Sequence, residues 1–280
     1  MVIVLDIETP PPIISNEDLE KEEIVYFGVI SRYAPRSIIR GYQPLMEYLT
    51  ENTPYSFKLR LSRSYLETVD QLIDKQIDFA SLGNYTYINS HRDNDIRCIA
   101  VPLNAQGNLQ NYDAIIVSEN SPIKSLKDLK GRTFAFASKH SFSSWMAVWM
   151  LREVDIELED LASYVNLDHH DMVAEKVLRG TYDAGMVKAI VAQRYEAAGI
   201  HILELSPAIP GVPLVAGSSV VEEKVEYVQT ALLNLKSYID SAGISTVGWD
   251  GEVLNGFQMG HDSLYNFPRS ILKDLNKGFE

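Results

Sequence analysis

The chain has a single cysteine, Cys98, in 280 residues. One thiol excludes an intrachain disulfide and any cysteine-based metal cluster, and it leaves the redox compartment open. Basic residues are the minority: 25 Lys and Arg stand against 38 Asp and Glu, a formal net charge of −13. That balance argues against a nucleic-acid partner, which requires clustered positive charge against the phosphate backbone. It does not exclude a small anionic ligand, because backbone N–H groups at helix N-termini hold an oxyanion whatever the sign of the surface. No apolar run approaches the ~20 residues of a membrane span. The start, MVIVLDIETPPPIISNEDLEKEE, lacks a basic segment followed by a long apolar one, so it does not read as an intact secretory signal. The marks of several enzyme classes are missing too: there is no G-x-S-x-G, GK[ST], H-E-x-x-H or G-x-G-x-x-G. The sequence therefore reads as non-enzymatic. The pair His169-His170 has no third or fourth ligand at suitable spacing, so neither a metal nor a cofactor is expected.

What the chain does have is a phrase stated twice. Residues 72–83 read LIDKQIDFASLG and residues 177–188 read VLRGTYDAGMVK. Each is an apolar helix end, a short turn, an Asp (Asp78, Asp183) and a small, mostly apolar strand. Thirteen residues before each Asp stands the residue that opens the helix, Tyr65 in one copy and His170 in the other. Two copies of one helix–turn–strand unit predict two similar α/β lobes. Ligands in such lobes bind outside the carboxyl ends of the strands, so Gly83 and Lys188 are expected to end strands that point into one cleft.

The rest of the pattern fits. IVYFGVI (24–30), FKLRL (57–61) and YDAIIVS (112–118) read as strands. A helix follows the first, with Ile38, Ile39, Tyr42, Leu45, Met46 and Leu49 at helical spacing. Ser64 and Glu67 form a capping-box pattern before the next. TFAFA, SYVNL and IHILEL (200–205) are further strands, and Val225, Val228, Leu232, Leu235 and Ile239 share one face of a long helix. The division expected is a tail or linker at 1–23, lobe one from 24–110 plus 211–280, and lobe two from 111–210. The chain then crosses twice between hinged lobes. Residues 241–280 show no clear periodicity and are expected to pack on lobe one.

The densest local signal is Ser138-Lys139-His140-Ser141-Phe142-Ser143-Ser144-Trp145. Hydroxyls at a strand-to-helix junction, where backbone N–H groups lack intrahelical partners and the helix dipole is positive, suit a phosphate or phosphonate. Any one of these serines is equally well a plain N-cap. Tyr65 and His170 are candidate donors, one per lobe, although a helix-start Tyr also serves as packing. In Asn84-Tyr85-Thr86-Tyr87, read as a loop at the cleft mouth, Tyr87 is favoured as a contact and Tyr85 as packing. Lys188 neutralises an anion or is an ordinary surface lysine.

The run FGVI…PLMEYL…DFASLGNYTY, then SPIKSLKDLKGRTFAFASKHSFSSW, then HDMVAEKVLRGTYDAGMV, resembles the phosphate/phosphonate-binding proteins, the extracytoplasmic receptors of phosphonate and phosphite ABC importers. The resemblance covers about residues 24–235. It implies a two-lobed periplasmic-binding-protein fold of the two-crossover type, a monomer, a periplasmic or membrane-anchored location, and a small anionic ligand delivered to an ABC permease. The sensor domain of a membrane-bound signalling protein, such as a sensor kinase, and an enzyme on the same fold are the alternatives. By the same resemblance Tyr65 and Tyr87 match ligand-contacting tyrosines. Ser141, Phe142 and Ser143 match a Ser-Thr-Ser phosphonate-holding turn, with Ser144 replacing the Gly after it, and His170-Asp171 match a His-Asp pair. Phe142 removes one hydroxyl donor. Lys188 falls where the family commonly has an acid that meets a ligand's amine. An acid-to-lysine change repels an ammonium, so 2-aminoethylphosphonate is not expected to be the ligand.

Overall fold

The computed structural model describes residues 23–275. The segment read as an N-terminal tail therefore lies outside the described residues, apart from Glu23. Two sheets organise the chain. The first holds β1 (Ile24–Val29), β2 (Ser56–Leu61), β3 (Phe79–Ser81), β4 (Arg97–Pro102), β10 (Leu214–Ala216) and β11 (Phe257–Met259), in the order β11-β4-β10-β3-β1-β2. The second holds β5 (Asp113–Ser118), β6 (Thr133–Phe136), β7 (Ser163–Asn166), β8 (Ala184–Lys188) and β9 (Ile200–Leu205), in the order β7-β6-β8-β5-β9. β1 is parallel to β2 and β3, and β6 is parallel to β7 and β8, while β10 and β5 run antiparallel to their neighbours. This is the two-lobed α/β fold with a cleft between the lobes.

Helices cover the sheets because their apolar stripes demand it. They are α1 (Pro35–Asn52), α2 (Tyr65–Ile73), α3 (Asn84–Asn94), α4 (Phe142–Arg152), α5 (His170–Leu178), α6 (Ala189–Glu196), α7 (Glu222–Ala242) and α8 (Asn266–Asp274). α1 starts on Pro35, whose missing N–H is no loss in a first turn. Its stripe is buried except for Ile39, which is exposed. The stripe expected on α7 is buried throughout. Ser64 caps α2 by accepting from the Glu67 N–H at 3.1 Å, but the Glu67 carboxylate turns to the backbone and guanidinium of Arg63. α5 lies close on β8 because Gly185 leaves room for it. A Cβ there would stand 2.6 Å from Val173 and 2.8 Å from the Ala135 carbonyl.

The repeated Asp has a structural role in both lobes. Asp78 accepts the Tyr26 N–H of β1 at 2.9 Å, and Asp183 accepts the Thr133 N–H of β6 at 2.9 Å. Each carboxylate ties the chain entering one strand to the adjacent strand. The chain crosses between the sheets at 103–112 and again at 206–213. The two crossings run side by side, with Asn111 and Ile209 exchanging backbone hydrogen bonds at 2.8 and 2.9 Å. In the segment without periodicity, β11 adds to the edge of the first sheet, whereas α8 packs against α4 and places Ile271 and Leu275 in the apolar cluster of the second.

Candidate functional site

The two lobes meet over a cavity of about 180 Å³. Contacts across it are direct: His169 Nδ1 lies 2.8 Å from the Ser31 carbonyl, the His170 N–H donates to the Arg32 carbonyl at 3.4 Å, and the Tyr85 ring stacks on Trp145 with centroids 5.4 Å apart. Gly83, two residues beyond β3 at the N-cap of α3, and Lys188, at the end of β8, both line the cavity, as do Tyr65 and His170, the first residues of α2 and α5. The echo in the sequence thus corresponds to two strand ends and two helix starts facing one space.

The serine turn divides. Ser141 is the N-cap residue of α4, its hydroxyl makes no cap bond, and it lies 3.4 Å from His170 Nε2. Ser143 lines the cavity but its hydroxyl donates to Asp113 Oδ1 at 2.7 Å. Phe142 lines it with a buried ring that belongs to the second lobe's apolar cluster. Ser144 does not line it: one turn into the helix, its hydroxyl bonds back to the carbonyls of Ala137 and Ser138, both at 3.1 Å. Tyr87 is likewise outside the lining. The stretch read as a loop is the first turn of α3, which directs Tyr87 against Tyr265 and His91, with its hydroxyl on Asp262 at 3.2 Å. Tyr85, read as packing, makes the interlobe stack instead.

Three charged residues that the sequence reading passed over complete the site. Arg32 lies in the loop after β1, 1% exposed, and its guanidinium reaches Tyr42 and, at 3.2 Å, Ser81. Its Nε is 3.0 Å from Glu252 Oε2, an ion pair off the hydrogen-bonding direction. Glu252 also holds the Lys188 ammonium. Lys188 is therefore no free cation: the C-terminal segment has brought an acid to it. Asp113 opens β5 directly opposite Lys188 and is 1% exposed. A basic residue at the carboxyl end of β1 was the signal available for Arg32. A polar residue opening an apolar strand was the signal for Asp113. Glu252 had none.

Burial sets the protonation states. It opposes the charge on Glu252, but Arg32 and Lys188 outweigh it and hold the carboxyl down at about 2. His170 is pushed to about 3, by burial first and then by Lys188, so it is neutral at physiological pH. Asp113 is raised to about 6 by burial, against the pull of Lys188 and Ser143. Six cavity-lining residues carry a buried side-chain polar atom without a hydrogen-bond partner among the described residues: Arg32, Tyr65, Asn84, Asp113, His170 and Glu252. Such atoms are costly unless a ligand meets them. The first N–H groups of α4 add a helix N-terminus at the same place. Together these groups can hold a small anion that also carries a hydrogen-bond donor.

The fold recurs in solved structures. A binding protein component of an ABC phosphonate transporter from Pseudomonas aeruginosa superposes with a TM-score of 0.77 at 18% identity, over 89% of this chain and 85% of that one. A protein from Prochlorococcus marinus, solved in complex with methylphosphonate, gives 0.78 at 17%, over 91% and 99%. The periplasmic aliphatic sulphonate binding protein of Escherichia coli gives 0.62 at 18%, over 91% and 87%. Residues 27–261 match the family model described as ABC transporter, phosphonate, periplasmic substrate-binding protein. The chain belongs to that family, the phosphonate substrate-binding proteins of ABC transporters.

Proposed function

We propose that the chain captures a small phosphoryl oxyanion without an amine (a phosphonate, phosphite or phosphate) between its lobes and presents it to an ABC permease outside the cytoplasm. The observation that carries this reading is the convergence of unpartnered buried polar atoms on one interlobe cavity. In this reading the Arg32 guanidinium, the Tyr65 and Ser141 hydroxyls and the α4 N-terminus grip the anion. Neutral His170 orients Ser141, and Lys188, held by Glu252, excludes a ligand ammonium. The two lobes hinge on the paired crossings at Asn111 and Ile209. The fold alone does not distinguish phosphonates from sulphonates, since a sulphonate receptor shares it.

Native mass spectrometry of protein purified in phosphate-free buffer tests the reading. The expected result is a saturable one-to-one complex with methylphosphonate that Tyr65→Phe combined with Ser141→Ala weakens by at least about tenfold, the worth of one or two hydrogen bonds to a charged group. An undiminished complex in that double variant would remove these residues from the site. An importer ATPase and permease encoded beside the gene supports the receptor role, and a kinase fused to the chain supports the sensor role.

A further inference from the structure

We propose that Asp113 selects the anion by the proton it carries: Oδ2 of Asp113 accepts a hydrogen bond from the P–OH of a singly protonated phosphonate, phosphite or phosphate, and turns away a sulfonate, which has no such proton. The inference rests on the oxyanion reading above and adds a specificity residue to it.

The geometry is particular. Asp113 stands at the cavity wall, 1% exposed, with Oδ1 taken by the Ser143 hydroxyl at 2.7 Å and Oδ2 without a hydrogen-bond partner among the described residues. It cannot swing away. Its N–H donates to the Ser206 hydroxyl, its carbonyl accepts the Ser206 N–H, both at 2.9 Å, and its strand is paired on both sides. Charged and titratable groups face it from every side: Lys188 from β8, Glu252 from the C-terminal segment and Tyr65 from α2. A carboxylate oxygen beside an anion's oxygen in a dry cavity is repulsive unless a proton lies between them, and two acids sharing one site share one proton. Phosphoryl groups supply that proton, because their second ionisation falls at about 6 or above. Sulfonates are fully ionised throughout this range. Burial also holds Asp113 at about 6, close enough to the ligand's own value for the proton to be shared.

Calorimetry of the full chain with methylphosphonate and methanesulfonate, near-isosteres that differ in this proton, is the test. At pH 7.5 methylphosphonate should bind at least about tenfold more tightly, because at that pH a carboxyl held at about 6 costs about 30-fold to protonate for the sulfonate. In Asp113→Asn, whose amide donates where the carboxylate accepted, that ratio should shrink at least about tenfold, with methanesulfonate gaining and methylphosphonate losing. Independently of any variant, methanesulfonate affinity of the native protein should rise as pH falls through about 6, where Asp113 takes up a proton while His170 stays neutral and Glu252 stays ionised. Equal affinities for the two anions, or an unchanged ratio in Asp113→Asn, would overturn the inference and leave the oxyanion reading standing. So would a preference for 2-aminoethylphosphonate that Asp113→Asn abolishes, which assigns Oδ2 to an ammonium. Failure of methylphosphonate, phosphite and phosphate all to bind would overturn the oxyanion reading and this inference with it.

Discussion

Lys188, at the end of the central strand of one lobe, is held by Glu252, which the C-terminal segment delivers beside the other. Glu252 makes its second ion pair with Arg32, so one buried carboxylate joins two cations that come from opposite lobes. Lys188, which stands where the family resemblance implies an amine-binding acid, is thus itself paired with an acid. On the proposed reading its ammonium occupies the place a ligand ammonium would need. Lys188→Ala should accordingly open that place and raise affinity for 2-aminoethylphosphonate by at least about tenfold relative to methylphosphonate, one charge-assisted hydrogen bond in size. Competition calorimetry reads the ratio. Tight 2-aminoethylphosphonate binding by the native protein, undiminished in Lys188→Ala, would contradict the role given to Lys188.

Removing the shared acid should be severe. Glu252→Gln removes the shared counter-charge of buried Arg32 and part-buried Lys188, a change that costs about 3–5 kcal/mol in fully buried pairs. Denaturant titration should show that loss in the free protein. Saturating methylphosphonate should restore more stability to the variant than to the native chain, because the anion then takes over as counter-ion. Equal ligand-induced shifts in both proteins would separate Glu252 from the anion site.

Stability should follow pH in a characteristic shape. His170 is a base whose folded value is lowered from 6.5 to about 3, so the unfolded chain binds more protons and stability is lost as pH falls below 6.5. Glu252, lowered from 4.5 to about 2, adds a second loss below 4.5. Asp113 has the opposite sign: raised from 3.8 to about 6, it favours the folded state as pH falls across that interval. Each proton contributes about 1.4 kcal/mol per pH unit, so the His170 and Asp113 effects oppose each other between about 4 and 6. The free protein should show a plateau from about 6 down to 4.5 and a steep fall below 4.5. In Asp113→Asn the decline should begin near 6.5, while stability at pH 7.5 rises by on the order of 1–3 kcal/mol because a buried charge is gone. Thermal unfolding across a pH series measures both. An unchanged profile would show that Asp113 is ionised as easily as in water.

Closure of the lobes has its own marker. The stack of Tyr85 on Trp145 spans the cleft, and an aromatic pair of this kind contributes about 0.5–1.5 kcal/mol. Tyr85→Ala should therefore weaken methylphosphonate by about threefold to tenfold without touching the cavity lining. Tyr87→Phe should instead leave affinity within about twofold and cost about 1 kcal/mol of stability, the worth of its bond to Asp262. The opposite ranking of the two variants would return Tyr87 to the cleft.

The pattern of what could be read from the chain follows from range. The strand–helix order, the echoed unit and the helix-start positions of Tyr65 and His170 are local, written in hydrophobic period and turn chemistry. The capping box of α2 was half right for the same reason, since a cap is decided within a few residues. Tyr87 was misplaced because Asn84-Tyr85-Thr86-Tyr87 has neither a strong apolar stripe nor a side-chain N-cap. The capping-box bond there is donated by the Gly83 backbone to Thr86 at 3.1 Å, which a glycine does not advertise. Arg32, Asp113 and Glu252 are near one another only through tertiary structure. Glu252 in particular comes from a stretch with no period, and nothing local distinguishes it from a solvated acid.

The central claim is that the interlobe cavity around Arg32 and Ser141 holds a phosphoryl oxyanion. Isothermal titration of the native protein with methylphosphonate, phosphite and phosphate in an inert buffer tests it most directly. The account predicts saturable one-to-one binding of at least one of the three, weakened by at least about tenfold in Ser141→Ala combined with Tyr65→Phe. Absence of binding by all three, or affinity unaltered in that variant, would contradict it.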